Sequence, residues 1–237
     1  MISQSVVILA GGLATRLRPI TKNTPKSLIL INNVPFVLHQ LKLLFSNGIR
    51  NIHFCLGYLG EEIENIVKKS SFSKEMRITY SYDGKKLLGT GGAINNSLDF
   101  IISDEFLIIY GDSYLDVNYK SVLSFFLKKS NHLNGLMTVY KNENKFDKSN
   151  IVFKKNVITH YSKIDRFNEM NYIDFGLGIL RKSHFDLFPN NQNFDLSDLY
   201  QNLVKEKELL GFEVFNRFYE IGSINGINDL SKYLNKN

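Results

Sequence analysis

The run Ser5 to Ala10 is apolar and rich in β-branched residues and stops at Gly11-Gly12, the pattern of a strand buried on both faces that runs straight into a turn. A longer period follows. Phe36, Val37, Leu38, Leu41, Leu44 and Phe45 recur at helical spacing over residues 35–45, with Pro35 suited to a first turn and Asn47-Gly48 to a stop. By the same reading residues 51–56 form a strand, 60–68 a helix, 77–82 a strand, 92–100 a helix and 105–110 a strand. This alternation predicts an α/β chain with a mostly parallel central sheet and helices on both faces, because each parallel crossover needs a helix to cover a sheet face. Ligands of such sheets bind at the carboxyl ends of strands. The loops over 11–26 and 111–114 both follow strand ends and are expected to converge on one cleft.

Past about Asp147 the segments shorten to 151–153, 157–162 and 172–180, separated by polar stretches that suit a small antiparallel part. Helices at 196–205 and 227–234, with a strand pair around 209–220, are expected to close the chain. No repeat or low-complexity tract interrupts it, so residues 1–237 read as one domain with halves at about 1–146 and 147–237.

Composition chiefly adds exclusions. No apolar run reaches the roughly 18 residues of a membrane helix, and Met1-Ile2-Ser3-Gln4 lacks the basic flank of a secretory signal, so the expectation is a cytoplasmic protein with no membrane partner. Cys55, the single cysteine, excludes a disulfide framework and a cysteine-based zinc site, and its apolar neighbours predict a buried, inert thiol. The net charge of +6 comes from scattered lysines without an arginine-rich stripe, so no nucleic-acid partner is expected. A positive surface also steers small polyanions. The histidines, His39, His53, His132, His160 and His184, have no metal-ligand spacing and no nucleophile partner.

The first constellation with chemistry is Leu9-Ala10-Gly11-Gly12-Leu13-Ala14-Thr15-Arg16-Leu17-Arg18-Pro19, followed by Thr24-Pro25-Lys26-Ser27. Glycines after a strand let backbone N–H groups approach an anion, and Arg16 and Lys26 can neutralise phosphate oxygens. The spacing is neither that of a Walker loop nor that of the dinucleotide fingerprint, which disfavours an oxidoreductase. The second, Leu88-Gly89-Thr90-Gly91-Gly92-Ala93, offers a backbone surface on which a flat base or ribose can lie, just before a helix whose N-terminus favours negative charge. Asp112 emerges after an apolar strand at the sheet edge, where its hard oxygens suit Mg²⁺.

With Gly111-Asp112-Ser113, Lys163, Asp174-Phe175-Gly176 and Tyr219-Glu220-Ile221-Gly222, these strings follow one another in an order and spacing that resembles the sugar-phosphate nucleotidyltransferases over nearly the whole chain. The resemblance implies a Rossmann-like nucleotidyltransferase fold and an enzyme that joins a nucleoside triphosphate to a sugar 1-phosphate with release of pyrophosphate. It sets Leu9, Ala10, Gly11, Gly12, Thr15, Gly89, Thr90 and Asp83 against the nucleotide, with Gly89 and Asp83 in the base region. Arg16 would hold the β and γ phosphates and Lys26 would neutralise the α-phosphate. Lys163 would contact the sugar phosphate, and Asp174 and Gly176 the sugar hydroxyls. Mg²⁺, with Mn²⁺ as a substitute, would be held by Asp112 and by Glu220, which stands where the family usually has Asp. Ser162 replaces the family's Glu before Lys163, and Asp174 an Asn, which implies an uncommon sugar preference.

The Leu88 to Ala93 string looks more like the guanylyl-transferring hexose and heptose members than the thymidylyl ones, which favours GTP. UTP or CTP with another sugar phosphate or a phosphorylated alcohol or amine, and a non-catalytic nucleotide-sugar-binding regulator, stay open. So does the choice between monomer and homodimer.

Overall fold

The computed structural model describes residues 2–12, 17, 23–84, 86–129, 134–189 and 192–236. The amino-terminal elements are β1 (Val6–Ala10), the hairpin β2 (Leu30–Ile31) and β3 (Val34–Pro35), α1 (Phe36–Ser46), β4 (Asn51–Leu56), α2 (Gly60–Lys69), α3 (Phe72–Glu75), β5 (Arg77–Tyr82), α4 (Gly89–Asn95) and β6 (Glu105–Tyr110). They are followed by β7 (Ser113–Tyr114), α5 (Tyr119–Lys129), β8 (Gly135–Lys141), β9 (Ile151–Lys154), β10 (Val157–Tyr161), β11 (Tyr172–Arg181), α6 (Leu196–Lys205), β12 (Leu209–Val214), β13 (Tyr219–Glu220) and α7 (Ile224–Leu234).

Nine of these strands form one sheet in the order β5-β4-β1-β6-β11-β8-β12-β10-β9. Strand β1 lies at its heart with Val6, Val7 and Ile8 fully buried, as expected of an apolar run with no polar face. Alternate residues feed opposite cores. Val6 and Ile8 pack with Val37 and Leu41 of α1, Ile63 of α2 and Phe126 of α5, while Val7 faces Ala93 and Ile94 of α4 and Leu199 and Leu203 of α6. Helices therefore cover both faces.

The expected mostly parallel sheet is corrected to a mixed one. Pairing is parallel from β5 through β4 and β1 to β6, but β11 runs antiparallel to both β6 and β8. Beyond it β8 and β12 are parallel, whereas β10 is antiparallel to β12 and β9. The antiparallel direction expected of residues 172–180 holds for β11, but the shortness of these segments did not tell that β11 would lie inside the main sheet, between β6 and β8. The short antiparallel strands extend the same sheet.

Three boundaries also differ. Helix α4 starts at Gly89 and ends at Asn95, not over 92–100, because its first turn is glycine and carries no apolar period. Helix α7 starts at Ile224, where Ser223 Oγ accepts the Gly226 N–H (3.0 Å), a cap that the apolar spacing of 227–234 did not register. The segments within 209–220 do not pair with each other: β12 joins β8, and β13 pairs with β7, setting Glu220 opposite Ser113.

Candidate active site

At the carboxyl ends of β1 and β6 a cleft of about 260 Å³ is lined by Leu9, Ala10, Gly11, Gly12, Asp83, Gly89 and Thr90, together with Lys26 and Asp112. Two loops read separately from the sequence thus meet. Thr15 and Arg16 lie outside the described residues. Tyr110, Leu87, Ala93 and Cys55 add an apolar lining that no motif announced. Cys55 is buried as expected, and desolvation pushes its thiol up to about 12 despite the neighbouring Ser97 and Ser81 hydroxyls.

The glycines around the cleft serve different ends. A Cβ on Gly57 would stand 2.5 Å from the Gly11 carbonyl oxygen, and one on Gly111 2.8 Å from Cβ of Ala10, so these two let the strand-end loops touch. Among the described residues nothing lies within 4 Å of a Cβ on Gly12. Gly91 and Gly92 are filled by protein: Cβ atoms there would lie 2.2 Å from the Phe194 ring and 2.2 Å from the Gln192 carbonyl oxygen. Their N–H groups donate to Phe194 O at 3.0 and 3.3 Å, so the expectation of a free backbone surface and helix N-terminus at residues 88–93 is corrected. Gly89, at φ +73°, and Thr90 still line the cleft, with Thr90 Oγ1 accepting the Leu196 N–H (2.8 Å).

The charged end is built by β6, β7 and β13. Lys26 Nζ is ion-paired and hydrogen-bonded to Asp112 Oδ2. Ser27 Oγ donates to Gly111 O (2.7 Å), and Gln40 Nε2 from α1 donates to Tyr110 O and Ser113 O, both at 2.9 Å, which pins the turn carrying Asp112. Ile221 N–H donates to Asp112 O (3.0 Å) and so draws Glu220 beside it from a segment distant in sequence. Glu220 keeps an exposed surface but has protein on most sides. That crowding, then the Asp112 carboxylate, pushes its carboxyl up to about 7 against the pull of Lys26.

The two neighbouring carboxylates share, among the described residues, the Lys26 ammonium, and their hard oxygens fit Mg²⁺ or Mn²⁺. Among the described residues no group of three or more His, Cys, Asp or Glu is arranged for a metal, so substrate oxygens and water would complete the coordination.

Asp174 and Lys163 lie outside this lining, toward the antiparallel strands. Asp174 Oδ1 accepts the Gly176 N–H (2.8 Å) across a backbone turned by Gly176 at φ +103°, and its own N–H donates to Asn150 Oδ1 (3.2 Å). Burial pushes its carboxyl up to about 6, opposed by that N–H and by the Lys163 charge. Lys163 Nζ donates to Asp195 Oδ1 (3.1 Å), which also accepts the Ser197 N–H (2.9 Å) as the cap of α6. Asp195 escaped the sequence reading although Asp195-Leu196-Ser197-Asp198 carries a capping-box spacing. Gln40, an apparent surface residue of an amphipathic helix, gave no signal at all.

Among solved structures the fold is similar to HddC from Yersinia pseudotuberculosis complexed with GMP-PN, with a TM-score of 0.79 at 24% identity over 98% of this chain and 99% of that one. In sequence the chain is 28% identical over 224 residues to a mannose-1-phosphate guanyltransferase of Yarrowia lipolytica, covering 91% of this chain and 60% of that protein. It is 29% identical over 222 residues to a D-glycero-alpha-D-manno-heptose 1-phosphate guanylyltransferase of Campylobacter jejuni, covering 91% of this chain and 93% of that one. It thus spans about 60% of the length of the fungal relatives. A family model described as nucleotidyl transferase matches residues 5–237, and the chain belongs to that family.

Proposed function

We propose that this chain joins a nucleoside triphosphate to a sugar 1-phosphate and releases pyrophosphate, with GTP and a hexose or heptose 1-phosphate as its substrates. The observation that carries the reading is the meeting of the open Gly12 backbone with Lys26, Asp112 and Glu220 at the strand ends. The names of the two relatives support the guanylyl and hexose or heptose assignment.

Nucleotidyl transfer asks mainly for positioning and charge neutralisation. The triphosphate lies along Gly11 and Gly12, with the base toward Gly89, Thr90 and Asp83. Lys26 exchanges its Asp112 partner for the α-phosphate, while Arg16 takes the β and γ phosphates and keeps the departing pyrophosphate. Lys163 receives the acceptor phosphate, and Asp174 accepts from a sugar hydroxyl beside Gly176. An acceptor phosphate oxygen is already ionised at neutral pH and attacks the α-phosphorus without a general base. Asp112 and Glu220 would hold Mg²⁺, or Mn²⁺ in its place, which would supply the positive charge that two approaching anions need.

No helix among the described residues is long and apolar enough to cross a membrane. We read the chain as one domain that works in the cytoplasm.

Pyrophosphate release from the four nucleoside triphosphates, each paired with a panel of hexose and heptose 1-phosphates, tests the reading. GTP with one of these acceptors should give the highest kcat/KM. No release from any pair would overturn the proposal, and a preference for UTP or CTP would overturn its guanine part.

A further inference from the structure

Behind the apolar wall of the cleft, a buried chain of polar side chains runs from β4 and β5 to α4. The register of the parallel pair sets His53 opposite Thr79 and Cys55 opposite Ser81, so these four share one face of the sheet, beneath α4. His53 is 1% exposed, with the Phe100 ring stacked on it at 5.2 Å.

Donor accounting gives this chain one direction. Ser97 Oγ lies 2.5 Å from the Ala93 carbonyl oxygen, which can only accept, so the Ser97 hydroxyl hydrogen is committed there. Ala93 O takes that donor in place of the Ser97 N–H, which goes to Ile94 O (2.8 Å) as α4 ends, and the Cys55 thiol reaches it only as a weaker second donor (3.6 Å). Ser97 Oγ must then accept from Ser81 Oγ (2.8 Å), and Ser81, its hydrogen spent, accepts from His53 Nε2 (3.0 Å). The Nδ1 lone pair of a neutral imidazole is left to accept the Thr79 hydroxyl (2.8 Å). Cys55 adds its S–H to the same junction, 3.3 Å from Ser97 Oγ. Burial, reinforced by the Arg77 charge, lowers His53 to about 4 and keeps the imidazole neutral.

We propose that His53, in its Nε2–H tautomer, and Ser81 and Ser97 are positioning residues that fix the α4 wall of the nucleotide cleft. The relay ends on Ala93, which lines the cleft, while the other end of α4 is held by Phe194 O through Gly91 and Gly92. Neither end can shift without unpairing buried groups, so the depth of the cleft beside Cys55 is set by side chains that do not touch the ligand. The inference rests on the reading that the nucleotide occupies this cleft.

The test joins binding to spectroscopy. In wild-type protein with ¹⁵N-labelled histidine, nitrogen–proton correlations of His53 at pH 7 should show a proton on Nε2. A proton on Nδ1 reverses the chain and overturns the proposal. Calorimetric titration with GTP should give a Kd raised about five- to tenfold in Ser97→Ala and Ser81→Ala, with the acceptor KM within about twofold of wild type. An unchanged Kd for GTP in folded variants, or an equal loss for both substrates, would overturn it too. If wild type binds GTP but releases no pyrophosphate, the proposed function fails while the relay is still judged by tautomer and Kd.

Discussion

Gly12 and Gly91 stand in two glycine-rich strings, one just after β1 and the other in the first turn of α4, yet among the described residues a Cβ on Gly12 would meet nothing and one on Gly91 would meet the Phe194 ring. At Gly12 no described residue requires the absence of a side chain, as the proposed triphosphate site needs. At Gly91 the absence of a side chain lets residues 192–194 close onto α4, so that glycine is part of the architecture. Glycine content alone therefore does not tell a ligand surface from a packing surface. Charge separates them: Lys26, Asp112 and Glu220 gather on the Gly12 side, while Phe194 and Phe188, stacked at 4.1 Å, lie on the other.

The largest expected effect probes the charged side. Asp112→Asn removes charge without opening a cavity and should lower kcat about a thousandfold, with the melting temperature kept near that of wild type. Turnover within tenfold of wild type at limiting Mg²⁺ would remove Asp112 from the account. Lys163→Ala should raise the acceptor KM roughly ten- to a hundredfold and leave the KM for GTP in place. Equal losses for both substrates would contradict the separation of the two anion sites.

The glycine pair itself gives the sharpest contrast. Gly12→Ala should unfold like wild type while its KM for GTP rises about tenfold, since a methyl stands where phosphate oxygens approach. Gly91→Ala should do the reverse. Its Cβ meets Phe194 at 2.2 Å, and the overpacking should destabilise by about 1–3 kcal/mol, read as a fall in the denaturant midpoint. If both variants behaved alike, the distinction between open and filled glycines would be lost.

Two pH effects, both rising with pH, follow from the raised Glu220 carboxyl and the lowered His53 imidazole. Glu220, at about 7 in the folded chain, is protonated in the folded state between its ordinary value near 4.5 and 7, and turnover that needs its charge should climb through pH 7. Glu220→Gln should lose that limb at a lower plateau. His53, held at about 4 against 6.5, stays neutral when folded but takes up a proton when unfolded. Its contribution to stability is therefore full above about pH 6.5 and declines as pH falls toward 4. Thermal melts of wild type against His53→Gln should show a shallower decline in the variant.

Much of the site was legible because its residues sit at the ends of strongly apolar strands. Residues 51–56, 77–82 and 105–110 were bounded correctly; β4 and β6 are buried runs with polar edges, whereas β5 is a half-exposed edge strand marked by its alternating aromatic and β-branched residues. Gly11, Lys26, Asp83 and Asp112 could then be referred to one sheet edge. Strand β8 drew no reading of its own, and so the antiparallel strands expected past residue 147 were not seen to continue the parallel ones in one sheet, with β11 between β6 and β8. Gln40, Asp195 and Ser97 act through backbone carbonyls or caps, and such contacts leave no spacing in sequence.

The account's central claim is that the triphosphate lies on the open glycines and not on the start of α4. A crystal structure with a non-hydrolysable GTP analogue, Mg²⁺ and a sugar 1-phosphate tests it most directly. The account predicts phosphate oxygens against the backbone of Gly11 and Gly12 and near Lys26, with the metal on Asp112 and Glu220. Phosphates bonded to the N–H groups of Gly91 and Gly92, with Phe194 displaced, would contradict it.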